Sequence, residues 1–361
     1  MFATVSHRCG LPSRRSARHA PGDRACDAAC RHQGRRSLRA PSLAAVLLIL
    51  LPSGAMLLLP SGAMLLWSPR AVAVEWFVDN AIGADSFDGR SSGRGDHVRG
   101  PLRTLEEALR RAGPGDRIHL TPNDEPYRES VSLVGQRHSG VPDRAGRERL
   151  FIIDGHGATL NGSAPIPDRA WENVGGGVFR FRPPRIAWQQ LFLDNRPLPR
   201  ETYTRGVDGV VNLEPLTWCL HDGAIYFRVE DERLPDEYPL TFAYLTVGIT
   251  LYRVHGVALV NLTVEGYQLD GIHAHDGVRD ALLTGVVARG NGRSGVAVGG
   301  TSRVELVSCL LGDNSGGQLW TSELARVDLR DSELLAGLAP GWIDRGGRVT
   351  IDGRPAAAEL P

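Results

Sequence analysis

From residue 257 to residue 351 the apolar positions return at a nearly fixed interval. Val257, Leu259 and Leu262 align with Ala281, Leu283 and Val286, then with Val304, Leu306 and Cys309, then with Val327, Leu329 and Ser332, in steps of 24, 23 and 23 residues. Val349 and Ile351 add a last partial copy. Each unit holds a second short strand pattern, at 271–274, 295–298 and 318–321, and Asn291 and Asn314 fall in register. Such units cannot bury their apolar side alone and must stack on their neighbours. They are too rich in Gly and β-branched residues to carry a helix each. The pattern predicts an all-β chain, a right-handed parallel β-helix in which equivalent side chains form columns.

The first part of the chain reads differently. Leu105, Ala108, Leu109 and Ala112 make one apolar stripe, Thr104 and Glu107 fit a capping box, and Gly113-Pro114 ends the run, so a short amphipathic helix is expected there. This helix would cover the otherwise unpaired N-terminal edge of the solenoid. Strand patterns follow at 117–120, 131–134 and 151–153. Residues 161–250 break the period with aromatic-rich strand patterns, separated by turn signals at Asp194-Asn195 and Asp222-Gly223. They read as an inserted β lobe. The expected organisation is an N-terminal region 1–73, a cap and first rungs 74–160, the lobe 161–250, late rungs 251–352 and a tail 353–361.

Residues 1–73 are Arg-rich, hold an almost unbroken apolar run from Leu43 to Trp67, and end in Ala71-Val72-Ala73, a small-x-small cleavage pattern. They predict an export signal, and so a secreted, periplasmic or envelope protein. Pro52 and Pro60 disfavour the alternative of a retained membrane anchor. The whole chain balances 41 basic against 41 acidic residues, whereas the part after residue 73 has 31 against 39, a net −8. An acidic exported domain is a poor nucleic-acid binder. Only Cys219 and Cys309 remain in it, too few for a disulfide framework. Both are expected to be buried, Cys309 in the core column of Leu262 and Val286.

Several stretches carry a resemblance. Phe77-Val78-Asp79, the loop 83–89, Gly100-Pro101-Leu102-Arg103-Thr104-Leu105, residues 112–118 and Pro126-Tyr127-Arg128-Glu129 are similar to the N-terminal module of pectate-lyase-like right-handed β-helix proteins. Residues 256–264, Asp270-Gly271-Ile272-His273 and 290–296 resemble their late rungs, and 171–181 with 191–200 resembles a lobe of some polysaccharide-degrading members. The resemblance implies the fold and a carbohydrate-active protein with a polysaccharide or oligosaccharide partner. Within that superfamily fold does not set activity.

The densest constellation is Asp270, His273, His275 and Asp276. Alternation along a strand turns both histidines outward, and their columns continue as Ala297 and Trp320 and as Gly299 and Ser322, a shelf that could seat a sugar ring. These four residues are the expected catalytic group, with Trp320, Arg200, Arg279 and Asp222 expected to bind substrate. Glycoside hydrolysis needs two carboxyl groups about 5–9.5 Å apart, and Asp313, Glu323, Asp194 or Asp222 could supply the second. Lyases of the resembling family use a Lys or Arg base, and this chain has no Lys, so a hydrolase is favoured over a lyase. The remaining alternative is a non-catalytic carbohydrate-binding envelope protein. No cofactor is expected, although Asp79, Asp85 and Asp88 could hold calcium, and a metal on His273, His275 and Asp276 lacks a further ligand. His156, in Gly155-His156-Gly157, reads as a turn residue.

Overall fold

The expected columns are hydrogen-bonded registers in the computed structural model, which describes residues 72–142, 146–184, 188–206, 211–337 and 339–356. Val257 pairs with Ala281, Ala281 with Val304, Val304 with Val327 and Val327 with Val349. Leu259, Leu283, Leu306, Leu329 and Ile351 form the neighbouring column, and every one of these pairings is parallel. The export signal expected at 1–73 lies outside the described residues except for its last two. Among the described residues no helix is long and apolar enough to cross a membrane.

Each late rung has three strands, and so the parallel solenoid has three faces. The first complete rung is His255–Val260, Thr263–Glu265 and Asp270–His275; the second is Arg279–Thr284, Val287–Arg289 and Ser294–Val298. Arg303–Val307 and Leu310–Gly312 begin the third, and Gly317–Arg330 runs through a corner to close it and open the fourth. Glu333–Leu335 and Trp342–Ile351 follow. Toward the N-terminus, Glu75–Val78, Arg117–Leu120 and Phe151–Asp154 extend the first face and Thr159–Asn161 the second. Val131–Val134 and Ile249–Tyr252 extend the third.

The corners explain the polar positions of the repeat. Where the first face bends into the second, Asn261, Gly285, Ser308 and Asp331 all take left-handed backbone, with φ of 48°, 63°, 53° and 47°, and Asp352, at 48°, opens the terminal hairpin to Arg354–Pro355. One such residue makes a sharp corner, and Gly, Asn and Asp tolerate it best. Where the second face bends into the third, buried Asn291 donates to Asn314 Oδ1 at 3.0 Å, and Asn314 donates to Gln318 Oε1 at 2.9 Å. The amide ladder satisfies backbone groups that the bend leaves unpaired: the Tyr267 N–H donates to Asn291 Oδ1, and Asn314 donates to the Ala288 carbonyl. Cys309 lies in the core with the columns it was aligned to.

The helix forms at Leu105–Arg111, packing Leu105, Ala108 and Leu109 into the solenoid core against the end strands. Its cap is shared differently from a capping box. Thr104 Oγ1 accepts from the Glu107 N–H at 3.2 Å, but the Thr104 N–H donates to Asp85. Glu107 instead pairs with Arg110 and Arg111, which holds its carboxyl down at about 2. The Glu129 carboxylate accepts from the N–H groups of Leu105 and Glu106, closing the first turn.

The inserted lobe is two antiparallel sheets. Trp218–His221, Ala224–Arg228, Val178–Phe181 and Glu172–Gly175 make one; Arg196–Pro197, Leu191–Leu193, Leu240–Ala243 and Ser163–Pro165 make the other. Between them lies a second core of Phe179, Phe181, Leu191, Trp218, Phe227 and Phe242, with Phe181 edge-on to Phe242 at 5.0 Å. Strand thus resumes in the solenoid at Ile249, inside the expected lobe boundary of 250. Cys219 is buried on the outer side of the first sheet. Burial raises its thiol to about 11.

Leu283 is fully buried in the middle of its column. Replacing it with Ala is expected to cost about 2–5 kcal/mol, read as a lower denaturation midpoint with an unchanged slope.

Candidate functional site: the junction of lobe and solenoid

The outer rows of the third face are in the expected register. Ser132, Thr250, His273, Ala297, Trp320 and Ile343 form one row, and Val134, Tyr252 and His275 begin the other. The His273 and His275 rings are 4.8 Å apart, and Tyr252 packs on His275 at 4.9 Å.

This shelf is closed in its middle. Trp320 has the Arg293 and Arg345 guanidiniums over its ring at 5.4 and 5.7 Å, and Trp188 of the lobe meets it edge-on at 6.5 Å. Cations and an indole edge thus occupy the surface expected to receive a sugar. Ala297 beside it is only 2% exposed. Of the expected catalytic residues, Asp270 is inaccessible. It is fully buried and accepts from Arg293 Nε at 2.9 Å, from Arg293 Nη2 and from Ser294 Oγ at 2.6 Å. With its oxygens engaged by these charge-assisted partners and no surface open to solvent, it cannot touch a substrate. Its remaining neighbour is His273 Nδ1 at 3.5 Å, so it orients that ring. Burial, first, pushes the His273 pKa below the usual value, against the pull of Asp270. His275 is half-buried, and Asp276 is an exposed residue of left-handed φ, 58°, 3.7 Å from His275 Nδ1.

The remaining expected binding residues scatter. Arg279 is exposed at the start of a first-face strand, beyond the corner that ends the shelf. Asp222 and Asp194 sit with left-handed φ, 48° and 50°, in two-residue hairpin loops that such residues favour, and Asp222 contacts His221 at 3.4 Å. Glu323, also left-handed at 60°, has its carboxylate within 4 Å of where a Cβ on Gly300 would stand. Asp79, Asp85 and Asp88 accept from loop N–H groups, Asp79 from Ala81, Asp85 from Arg103 and Thr104, and Asp88 from Arg90. Among the described residues they do not converge as a cation site.

Arg200 is the expected residue that leads to an open site. It lines a cavity of about 600 Å³ between lobe and solenoid, with Glu201, Tyr203 and Leu220 on the lobe wall and Asp313, Asn314 and Ser315 on the solenoid wall. The lobe wall is an irregular segment held by backbone bonds: the Leu198 N–H donates to the Leu191 carbonyl, and the Glu201 N–H donates to that of Trp218. Arg200 lies over the Trp218 ring at 5.3 Å, and its burial lowers its pKa. Tyr203 is fixed by stacking on His221, centroids 3.6 Å apart and planes within 10°. Asp313 takes left-handed φ, 57°, at the rim of the Asn314 corner, and Ser315 Oγ donates to Gln190 Oε1 of the lobe. Among the described residues neither Glu201 nor Asp313 has an ion-pair partner. The lobe seats on the corner glycines: Trp188 covers Gly292 and Gly316, and Phe192 and Pro197 cover Gly290. Any side chain there would meet the lobe.

Asp313 was among the possible second carboxyls in the sequence. Glu201, Tyr203, Arg293 and Trp188 were not anticipated. Glu201 and Tyr203 follow Arg200 directly, the one available signal; Arg293 and Trp188 are marked only by their spatial neighbours.

Comparison with known proteins bears on the fold. No family model matches the chain, and no curated protein does. A solved structure described as a glycoside hydrolase superposes with a TM-score of 0.51 at 11% identity, covering 72% of this chain and 73% of that one. The fold is a parallel β-helix. Looser matches are the complex of XylC with xylose, at TM-score 0.39, 12% identity and coverage of 77% and 70%, and the pectate lyase Pel9A, at 0.29, 10% and 80% of each. At those scores they add nothing to the assignment.

Because His273 is held neutral in the fold, the unfolded chain binds more protons as the pH falls through about 6.5, and stability should decline there. The expected outcome is a denaturation midpoint that falls between pH 7 and pH 5. The His273→Gln variant should show a shallower fall.

Proposed function

We propose that the protein is an exported, carbohydrate-active β-helix enzyme that hydrolyses a polysaccharide in the cleft between lobe and solenoid. The observation that carries this reading is the pair of carboxylates with no ion-pair partner among the described residues, Glu201 from the lobe and Asp313 from the solenoid, lining a cavity of about 600 Å³. A space of that volume is about 10 Å across and suits one or two sugar rings. One carboxyl protonates the departing glycosidic oxygen, and the other activates water or attacks the anomeric carbon. Tyr203, stacked on His221, offers an aromatic platform. Arg200, partly desolvated, offers a guanidinium to a carboxylate or hydroxyl of the sugar. The likeness to a structure described as a glycoside hydrolase supports the reaction class by fold analogy alone.

A second reading rests on His273. A neutral imidazole oriented by a buried carboxylate is a competent base, and on the third face it could abstract a proton in an eliminative cleavage. The products separate the two: hydrolysis releases reducing ends alone, whereas elimination also leaves an unsaturated sugar.

Screening the protein against acidic and neutral plant and bacterial polysaccharides should show release of reducing ends without ultraviolet-absorbing unsaturation. Glu201→Gln and Asp313→Asn should each lower kcat about 10²–10⁴-fold with the fold intact, and Arg200→Ala should raise KM more than it lowers kcat. Binding without turnover would leave a carbohydrate-binding protein, and full activity in both carboxyl variants would move the chemistry out of the cleft.

Export carries its own test. The N-terminus of protein recovered from the envelope or medium should be Val74, and recovery of an intact apolar segment in the membrane would replace the signal with an anchor.

A further inference from the structure

Among the described residues one group of three side chains brings metal-ligand atoms together: His119, Asp154 and His156, with one such atom from each within 4.8 Å of the others. They lie where the first face turns toward the second in the early rungs, a different corner from the cleft. We propose that this trio binds a divalent transition-metal ion of the Zn²⁺ class. The reading stands independently of the carbohydrate activity.

The strands place the ligands. His119 of Arg117–Leu120 and Asp154 of Phe151–Asp154 are register partners on adjacent rungs. His156 follows two residues later, its φ of 50° swinging the ring back over its own strand end. His119 Nδ1 faces His156 Nε2 at 3.0 Å, and Asp154 Oδ1 lies 3.6 Å from His156 Nδ1. Two imidazole nitrogens at that distance need one proton between them, and two protonated rings would repel. A cation accepts both lone pairs at once.

Around a tetrahedral ion with bonds of about 2.0–2.2 Å, ligand atoms stand about 3.3 Å apart. The nitrogens are already near that spacing. The longest edge of the trio need close by at most about 1.5 Å, a movement available to His156, which is half exposed on its turn.

His119 is also prepared from behind. Its Nε2 lies 3.4 Å from a Glu75 carboxylate oxygen, and Phe77 stacks on the ring at 5.1 Å within 15°. That nitrogen is buried and makes no hydrogen bond as the ring stands, so a small rotation would let it donate to Glu75, which would fix the tautomer and raise the basicity of the nitrogen that meets the ion. Imidazole donors select Zn²⁺, Ni²⁺ or Cu²⁺ over the oxygen-seeking Ca²⁺ and Mg²⁺. Three protein ligands leave a coordination position for water, and the bound ion would join two rungs of the first face.

The test is calorimetric titration of the chelator-treated full-length protein with zinc chloride, with equilibrium dialysis and metal analysis for stoichiometry. The expected result is one ion per chain at micromolar or tighter affinity, no competition from calcium, and a zinc-dependent rise in Tm of roughly 5 °C. Cobalt substitution should give the visible spectrum of a low-coordinate site. His156→Asn keeps a residue suited to left-handed φ, so it should fold normally yet bind zinc at least tenfold more weakly. Glu75→Gln should weaken binding about tenfold. No uptake at millimolar zinc, or uptake unchanged in His156→Asn and His119→Ala, overturns the proposal.

Discussion

Backbone hydrogen bonds between stacked rungs impose the constraint on which everything else depends. A parallel ladder repeats every ~4.8 Å, so a side chain at one position must tolerate its equivalent directly above and below it. Inside, the Leu259 to Ile351 column meets this with apolar residues of similar size. At the second corner it is met by an amide that donates to the next amide, and at the first corner by residues that accept left-handed backbone. Outside, ladder position alone brings His273 two rungs from Trp320. The repeat in the sequence is the imprint of that vertical compatibility.

What the ladder cannot make is a concave site. Its faces are broad, and a side chain standing on one of them is exposed on several sides. The lobe supplies the missing wall. It leaves the solenoid after Asn161 and returns at Ile249, with an aromatic core of its own, and it seats on corner glycines whose missing side chains let Trp188 and Pro197 approach. One flank of this contact is sealed around Trp320 and the other stays open as the cleft.

These origins decide what could be read from sequence. The solenoid was legible to the residue, because Val257, Ala281, Val304 and Val327 repeat a physical environment and therefore a residue type. The tight hairpins at Asp194 and Asp222 were legible for a local reason, their left-handed φ. The helix was legible too, although its cap draws on Asp85, which the chain brings in from 19 residues away. The site was much less so. Glu201 and Asp313 line one cavity only because an aperiodic segment of the lobe is laid against the 313–315 corner. Asp270 read as a member of the catalytic group because its burial depends on Arg293 and Ser294, one rung on, and nothing in the local Asp-Gly-Ile-His string encodes that partnership.

The Asp270 network also bears on where chemistry can occur. Moving a carboxylate and a guanidinium out of water costs several kcal/mol per ion, recovered only by good geometry and further hydrogen bonds. Asp270 has both, with two guanidinium contacts, a hydroxyl and an imidazole converging on it. The same contacts occupy its oxygens and shut it away from any substrate. Arg293 in turn lies over Trp320, against which Trp188 packs, so the ion pair braces the lobe contact. Glu201 and Asp313 are in the opposite condition: they line an open cavity, one from the lobe and one from the solenoid, without an ion-pair partner among the described residues. On the proposed reading, a carboxyl that takes part in cleavage needs that accessibility, which the buried Asp270 lacks.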